Sequence, residues 1–131
     1  MVIKVRQDTD SGMSWGPGAA LRFANGAFLR IGTRADNSLQ ADILGKQSVG
    51  GSYCRTDWVW LRVRWLKQWG VVESSNDGKK YNQVWTFEHD GIFNSPAAEL
   101  LFGKVPYTGS ATDYSEIGDV GECEIESLSV Y

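Results

Sequence analysis

The sequence predicts an all-β protein, an antiparallel two-sheet β-sandwich. Three observations point there. The 131 residues include 15 Gly, 6 Trp, 5 Tyr and 5 Phe, a mix that favours strands and turns over helices. Turn-forming clusters recur at about 8- to 15-residue intervals. Between them apolar and polar residues alternate with period two.

The elements follow in order. Val2 to Arg6 puts Ile3 and Val5 on one face and Lys4 and Arg6 on the other. Asp8-Thr9-Asp10-Ser11-Gly12 and Ser14-Trp15-Gly16-Pro17-Gly18 are turn clusters. Ala20 to Phe23 is a short strand. Asn25-Gly26 then signals a two-residue hairpin, because both residues accept positive φ. Its partner, Ala27 to Arg34, points Leu29, Ile31 and Thr33 one way and Phe28, Arg30 and Arg34 the other. Leu39 to Leu44 is a strand, and Gly45 to Gly51 reads as a loop. Trp58 to Trp65 is the clearest strand: Val59, Leu61, Val63 and Trp65 share one face, Trp58, Trp60, Arg62 and Arg64 the other. Trp69 to Ser75, a turn at Asn76-Asp77-Gly78, and Tyr81 to His89 come next. Glu99 to Lys104 is a further strand, Pro106 to Gly118 a loop, and Glu122 to Tyr131 the closing strand. That makes nine or ten strands and no helix.

One domain across 1–131 is the expectation at this length, with roughly two-thirds of the unfolded surface buried. Met1 to Arg6 runs straight into strand pattern, so no leader is expected. The chain reads as a mature domain, or as one cut from a longer protein. Thirteen basic against sixteen acidic residues give a net charge of −3, a poor footprint for nucleic acid. No apolar stretch approaches the roughly 20 residues of a membrane-spanning helix. Cys54 and Cys123 fit one disulfide or two buried thiols, and spacing does not choose between them.

Arg and Trp carry the main functional signal. Arg22, Arg30, Arg34, Arg62 and Arg64 fall opposite the apolar face of their strands, and Trp58 and Trp60 lie beside two of them. Aromatic rings cover the apolar faces of sugar rings, and guanidinium groups donate forked hydrogen bonds to hydroxyls or a uronate. The plain alternative is Arg stacked on Trp for solubility, and the other aromatics, Trp65 and Phe102 among them, are expected in the core. Trp15, Trp69, Trp85, Tyr107 and Tyr114 are candidate loop anchors, with Trp15 foremost because turn residues flank it. The paired-carboxylate candidate is Glu122, Glu124 and Glu126, with neighbours about 6–7 Å apart by strand rise, near the separation a retaining glycosidase needs. Pairing with Lys4 and Arg6 on an adjacent first strand is the simpler account. His89, the single histidine, is a candidate base beside Asp90 or a polar residue at a strand end. Asp8 and Asp10 have the oxygen-rich character of a calcium loop without full EF-hand spacing, and a plain Asx turn is the simpler account.

Trp60-Leu61-Arg62-Val63-Arg64, the later Ser74 to Tyr81 segment with its Asp77-Gly78, Leu101 to Val105, and Ser14 to Gly18 together resemble the concanavalin A-like lectin/glucanase superfamily, in its LamG-like form. The resemblance implies a jelly roll whose concave sheet binds glycans, with a structural calcium where first and last strands converge and no other cofactor. The chain is short for that superfamily. It also lacks the Glu-x-Asp-x-Glu strand of the catalytic members. The expectation is therefore a non-catalytic, lectin-like carbohydrate-binding module of an extracellular or cell-surface protein. Trp58, Trp60, Arg62, Arg64, Arg30 and Arg34 would form its concave platform, with Trp15 at the rim. Polysaccharide would be its partner, with other domains of a host protein beside it, and neither nucleic acid nor membrane. A small glycan-active enzyme and a structural or protein-interaction sandwich are the alternatives.

Overall fold

The protein is seen in a computed structural model that describes residues 1–7, 15–34, 37–44, 46–51, 56–89, 91–104 and 123–130; of Trp15 and residues 46–49 it describes the backbone. The ten strands described are β1 (Val2–Arg6), β2 (Trp15–Phe23), β3 (Phe28–Arg34), β4 (Leu39–Ile43), β5 (Lys46–Gly50), β6 (Val59–Leu66), β7 (Trp69–Ser75), β8 (Asn82–Glu88), β9 (Ala97–Gly103) and β10 (Glu124–Ser129). Among the described residues one 3-10 turn, Ile92–Asn94, breaks the pattern. The strands form two five-stranded sheets, in the orders β10-β1-β6-β7-β8 and β5-β4-β3-β2-β9. Every pairing is antiparallel.

The sheets pack face to face, with β1 across from β2 and β6 across from β3. Ile3, Val5, Val59, Leu61, Val63 and Val72 from the first sheet meet Ala19, Leu21, Leu29, Ile31, Leu39 and Ala41 from the second in one core. The alternation read from the sequence has this cause: one face of each first-sheet strand meets the other sheet and the opposite face meets water.

The second sheet departs from that rule. Both faces of β3 and β4 are buried, so Arg30, Gln40 and Asp42 lie on the outer face of the sandwich yet away from solvent. The Asn25-Gly26 turn also differs from expectation. Gly26 alone takes a positive φ, 85°, and Phe23 N–H donates to Ala27 O at 2.9 Å. The hairpin is therefore a three-residue loop closed by a left-handed glycine rather than a two-residue turn. The stretch expected as a loop before Gly51 contains β5, an edge strand paired to β4.

Candidate functional site

The outer face of the first sheet gathers the Trp and Arg residues of β6 and its neighbours. Register sets Lys4 opposite Trp60 and Val2 opposite Arg62, then Trp60 opposite Ser75, Arg62 opposite Glu73 and Arg64 opposite Val71. Lys4 Nζ lies 5.0 Å from the Trp58 ring centroid and 4.5 Å from that of Trp60. The Arg6 guanidinium is 4.9 Å from Trp58. Arg62 rests 3.7 Å from the centroid of Tyr81, which enters from the segment preceding β8. Such contacts are each worth about 0.5–1 kcal/mol at exposed sites and align the rings with the sheet.

Glu73 ties this face together. Arg62 Nε donates to its Oε2 at 2.6 Å, while Arg64 donates to Oε2 through Nε and to Oε1 through Nη2, both at 2.8 Å. The Arg64 hydrogen bonds, with Arg62 beside them, hold the Glu73 carboxyl at about 2 against the opposing effect of burial. Next to it the β7–β8 loop is built on Asp77. The backbone N–H groups of Lys80 and Lys79 both donate to Asp77 Oδ1 at 2.8 Å, and Ser75 Oγ donates to the same oxygen. These bonds lower its carboxyl to about 2. The turn they fix brings Gly78, at φ 69°, against the Trp60 indole.

Trp58, Trp60, Arg62 and Arg64 are thus brought together. Arg30 and Arg34 are not: they belong to the second sheet, on β3. Arg30 is wholly buried and donates from Nη2 to Gly16 O at 2.9 Å. Arg34 Nη1 donates to Gln40 Oε1 at 3.0 Å. Trp15 pairs in register with Arg34, so it too lies on the second sheet. The expectation of one six-residue platform is corrected on this point, because alternation assigns a residue to a strand face but not to a sheet.

The carboxylate candidates lie at the sheet edge. β10 pairs with β1, with one extra β10 residue between Lys4 and Val5. Arg6 Nη2 donates to both carboxylate oxygens of Glu124, at 2.7 and 2.6 Å, and Lys4 pairs with Glu126. Glu122, Asp8, Asp10, Asp90, Tyr107, Tyr114 and Cys54 lie outside the described residues, and Cys123 is half-buried. Among the described residues no three His, Cys, Asp or Glu side chains converge as a metal site. None of the described helical structure is long and apolar enough to cross a membrane.

His89 is buried at the opposite end of β6 from Trp58 and Trp60. It stands in an aromatic group with Trp65, Phe87 and Phe93, whose centroids lie 5.3, 6.4 and 5.8 Å from its own. Trp65, assigned to the core from alternation, is 39% exposed, and its hairpin neighbour Trp69 is 44% exposed. Phe102, also expected in the core, is 62% exposed, because β9 is the free edge of its sheet.

Comparison with known proteins bears on the fold. No family model and no curated protein matches the chain. Among solved structures, a functionally unknown protein from Saccharomyces cerevisiae superposes with a TM-score of 0.55 at 17% identity, over 76% of this chain and 53% of that one. A mutant of the GH43 protein BlXynB from Bacillus licheniformis superposes with a TM-score of 0.61 at 13% identity, over 95% of this chain and 25% of that one. The chain therefore spans about half the length of the first and a quarter of the second. What is shared is the all-β architecture of two packed antiparallel sheets.

Proposed function

We propose that the sandwich is a jelly roll of the concanavalin A-like kind and works as a non-catalytic carbohydrate-binding module. The observation that carries this reading is the outer face of the first sheet, where Trp58, Trp60 and Tyr81 lie among Arg62 and Arg64. Rings of this kind take the C–H faces of a sugar, and guanidinium donors between them meet its hydroxyls. The shared fold with a quarter of a GH43 protein supports it, since GH43 is a glycoside-hydrolase class. The arginines of this face already serve carboxylates of the chain itself, Glu73 and Glu124. That favours a neutral glycan over an acidic one.

Affinity electrophoresis through xylan, β-glucan and polygalacturonate gels tests the reading. Retardation in a neutral gel, reduced by Tyr81→Ala with the far-ultraviolet circular dichroism unchanged, is the expected result. Mobility equal to that of a non-binding control in all three gels overturns it.

A protein-interaction reading has one observation in its favour. Edge strand β9 exposes Leu100 and Phe102 together, an apolar strip that a neighbouring domain of the same host protein would cover. The enzymatic reading would require Glu124 and Glu126 to leave their Arg6 and Lys4 partners. Turnover of a polysaccharide that Glu124→Gln abolishes would be its signature.

A further inference from the structure

We propose that the closed end of the β6–β7 hairpin and the segment facing it form a second ligand site, shaped for one neutral hydroxylated ring such as a pyranose unit. The inference takes its ligand class from the glycan-binding reading, but its location is independent of the Trp58–Trp60 face. Leu66 lies six steps along β6 from Trp60, about 20 Å of strand.

The site is built from backbone first. Leu66 pairs with Trp69, and only Lys67 and Gln68 connect them. Lys67 is left-handed, with φ 54°. That conformation costs a non-glycine residue about 1–2 kcal/mol, so the surroundings hold it in place. One restraint is visible: His89 N–H donates to Gln68 O at 2.8 Å, fastening the segment after β8 to the turn. Between them opens a cleft of about 420 Å³ lined by Lys67, Gln68, Glu88, His89, Gly91 and Asn94. A second depression of about 700 Å³ runs along Trp65 to Trp69 and shares Lys67 and Gln68 with it. Both are shallow and open to solvent, with room for a sugar ring to lie against them.

The lining selects the ligand. Trp65 stacks on Phe93 at 4.9 Å on one side yet remains partly open to solvent, as does Trp69. Two indoles exposed around one turn exceed what the core requires and provide flat apolar surface. The polar groups are mixed. Gln68 and Asn94 each offer a donor and an acceptor, Glu88 accepts and Lys67 donates, a set matched to hydroxyls, which do both. Among the described lining residues one cation faces one anion, a balance that gives neither charge a preference. The His89 ring is held at the border of the cleft. Its Nδ1 accepts the Gly91 N–H at 3.3 Å, leaving Nε2 as the ring's other polar atom. That buried atom has no hydrogen-bond partner among the described residues.

The test is a ¹H–¹⁵N NMR titration of the full chain with xylohexaose, cellohexaose, laminarihexaose and trigalacturonate, reading the Trp indole and backbone amide signals. Saturable shifts at Trp65, Trp69, Gln68 and Gly91 with a neutral oligosaccharide are expected, weaker with trigalacturonate. Trp69→Ala and Asn94→Ala, both at exposed positions, should weaken that response about tenfold or more, whereas Tyr81→Ala should leave it intact. Shifts confined to Trp58, Trp60 and Tyr81 overturn this site and leave the sheet-face reading standing. Shifts confined to the hairpin do the reverse. No hairpin response to any of the four sugars, or equal binding by Trp69→Ala, overturns the inference.

Discussion

Gly78 is pressed against Trp60: a β-carbon on Gly78 would stand 2.8 Å from Trp60 Cε2 and 2.9 Å from Nε1. With Lys4 also over the ring, the indole is held between strand β1 and the β7–β8 loop. Gly78→Ala therefore meets two costs, a left-handed backbone and a ring that is not free to move. The expected loss is about 2–4 kcal/mol. Gly26→Ala separates the two. Gly26 has φ 85° but nothing within 4 Å of the added carbon, so it should lose only about 1–2 kcal/mol. Urea unfolding of both variants measures the difference, and equal losses would refute the contact.

Glu73→Gln tests the clamp between Arg62 and Arg64. The folded carboxyl is held at about 2, below the ordinary 4.5, so between these values the unfolded chain binds more protons than the folded one. Stability from Glu73 is therefore fully present above about pH 4.5 and is lost as pH falls through about 2. By linkage the clamp contributes about 3 kcal/mol at neutral pH. Urea unfolding should show Glu73→Gln destabilised by up to about that amount at pH 7, with the gap to wild type closing towards pH 2. A gap independent of pH would assign the loss to packing instead.

Much of the first sheet was legible because its strands have one wet and one dry face. Ile3/Val5 against Lys4/Arg6, and Val59/Leu61/Val63 against Trp58/Trp60/Arg62/Arg64, read correctly for that reason. The second sheet defeated the same rule. Arg30 was read as solvent-facing because it lies opposite Leu29 and Ile31, but β3 is buried on both faces, and period two does not distinguish a second buried face from water. β5 escaped because its sequence, Lys46 to Gly50, lacks apolar alternation, and pairing with β4 makes it a strand. At the hairpin end Trp69 was visible as a loop anchor, whereas Trp65 was assigned to the core because alternation carries no information about where a strand outruns its covering sheet.

Asp77→Ala examines the loop that supports Trp60. The backbone N–H bonds from Lys80 and Lys79, with Ser75, lower its carboxyl from 3.8 to about 2. Whatever stability it supplies is present above about pH 4 and disappears as pH falls through about 2. Removing the side chain leaves two loop N–H groups to water and loosens Gly78 from Trp60. Trp60 indole signals in ¹H–¹⁵N spectra should broaden or shift in Asp77→Ala at pH 7. They should stay in place in Lys79→Ala, which keeps the backbone donor. Unchanged Trp60 signals in Asp77→Ala would separate the loop from the ring.

Gly70→Ala addresses the hairpin end through the core side of the sheet. Gly70 pairs with Trp65 on one flank and Phe87 on the other, and the two rings meet edge-on above it at 5.8 Å. A glycine in a central strand ordinarily weakens it, but here the missing side chain is the space the Phe87 ring fills. An added carbon would overlap Phe87 Cζ and stand 2.5 Å from both Cε1 and Cε2, well inside van der Waals contact with a ring that Trp65, His89 and Phe93 already confine. Overpacking of this kind costs about 1–3 kcal/mol. The displacement should also pass through Phe87 and His89 to the Lys67–Gln68 turn, since His89 N–H is fastened to Gln68 O. Gly70→Ala should therefore lower the urea midpoint and shift the Trp65, Gln68 and Gly91 signals while leaving Trp58 and Trp60 in place. Phe87→Leu in the same background, by restoring room, should recover part of both effects. Failure of that second substitution to recover either would show that the strain lies elsewhere than between Gly70 and Phe87.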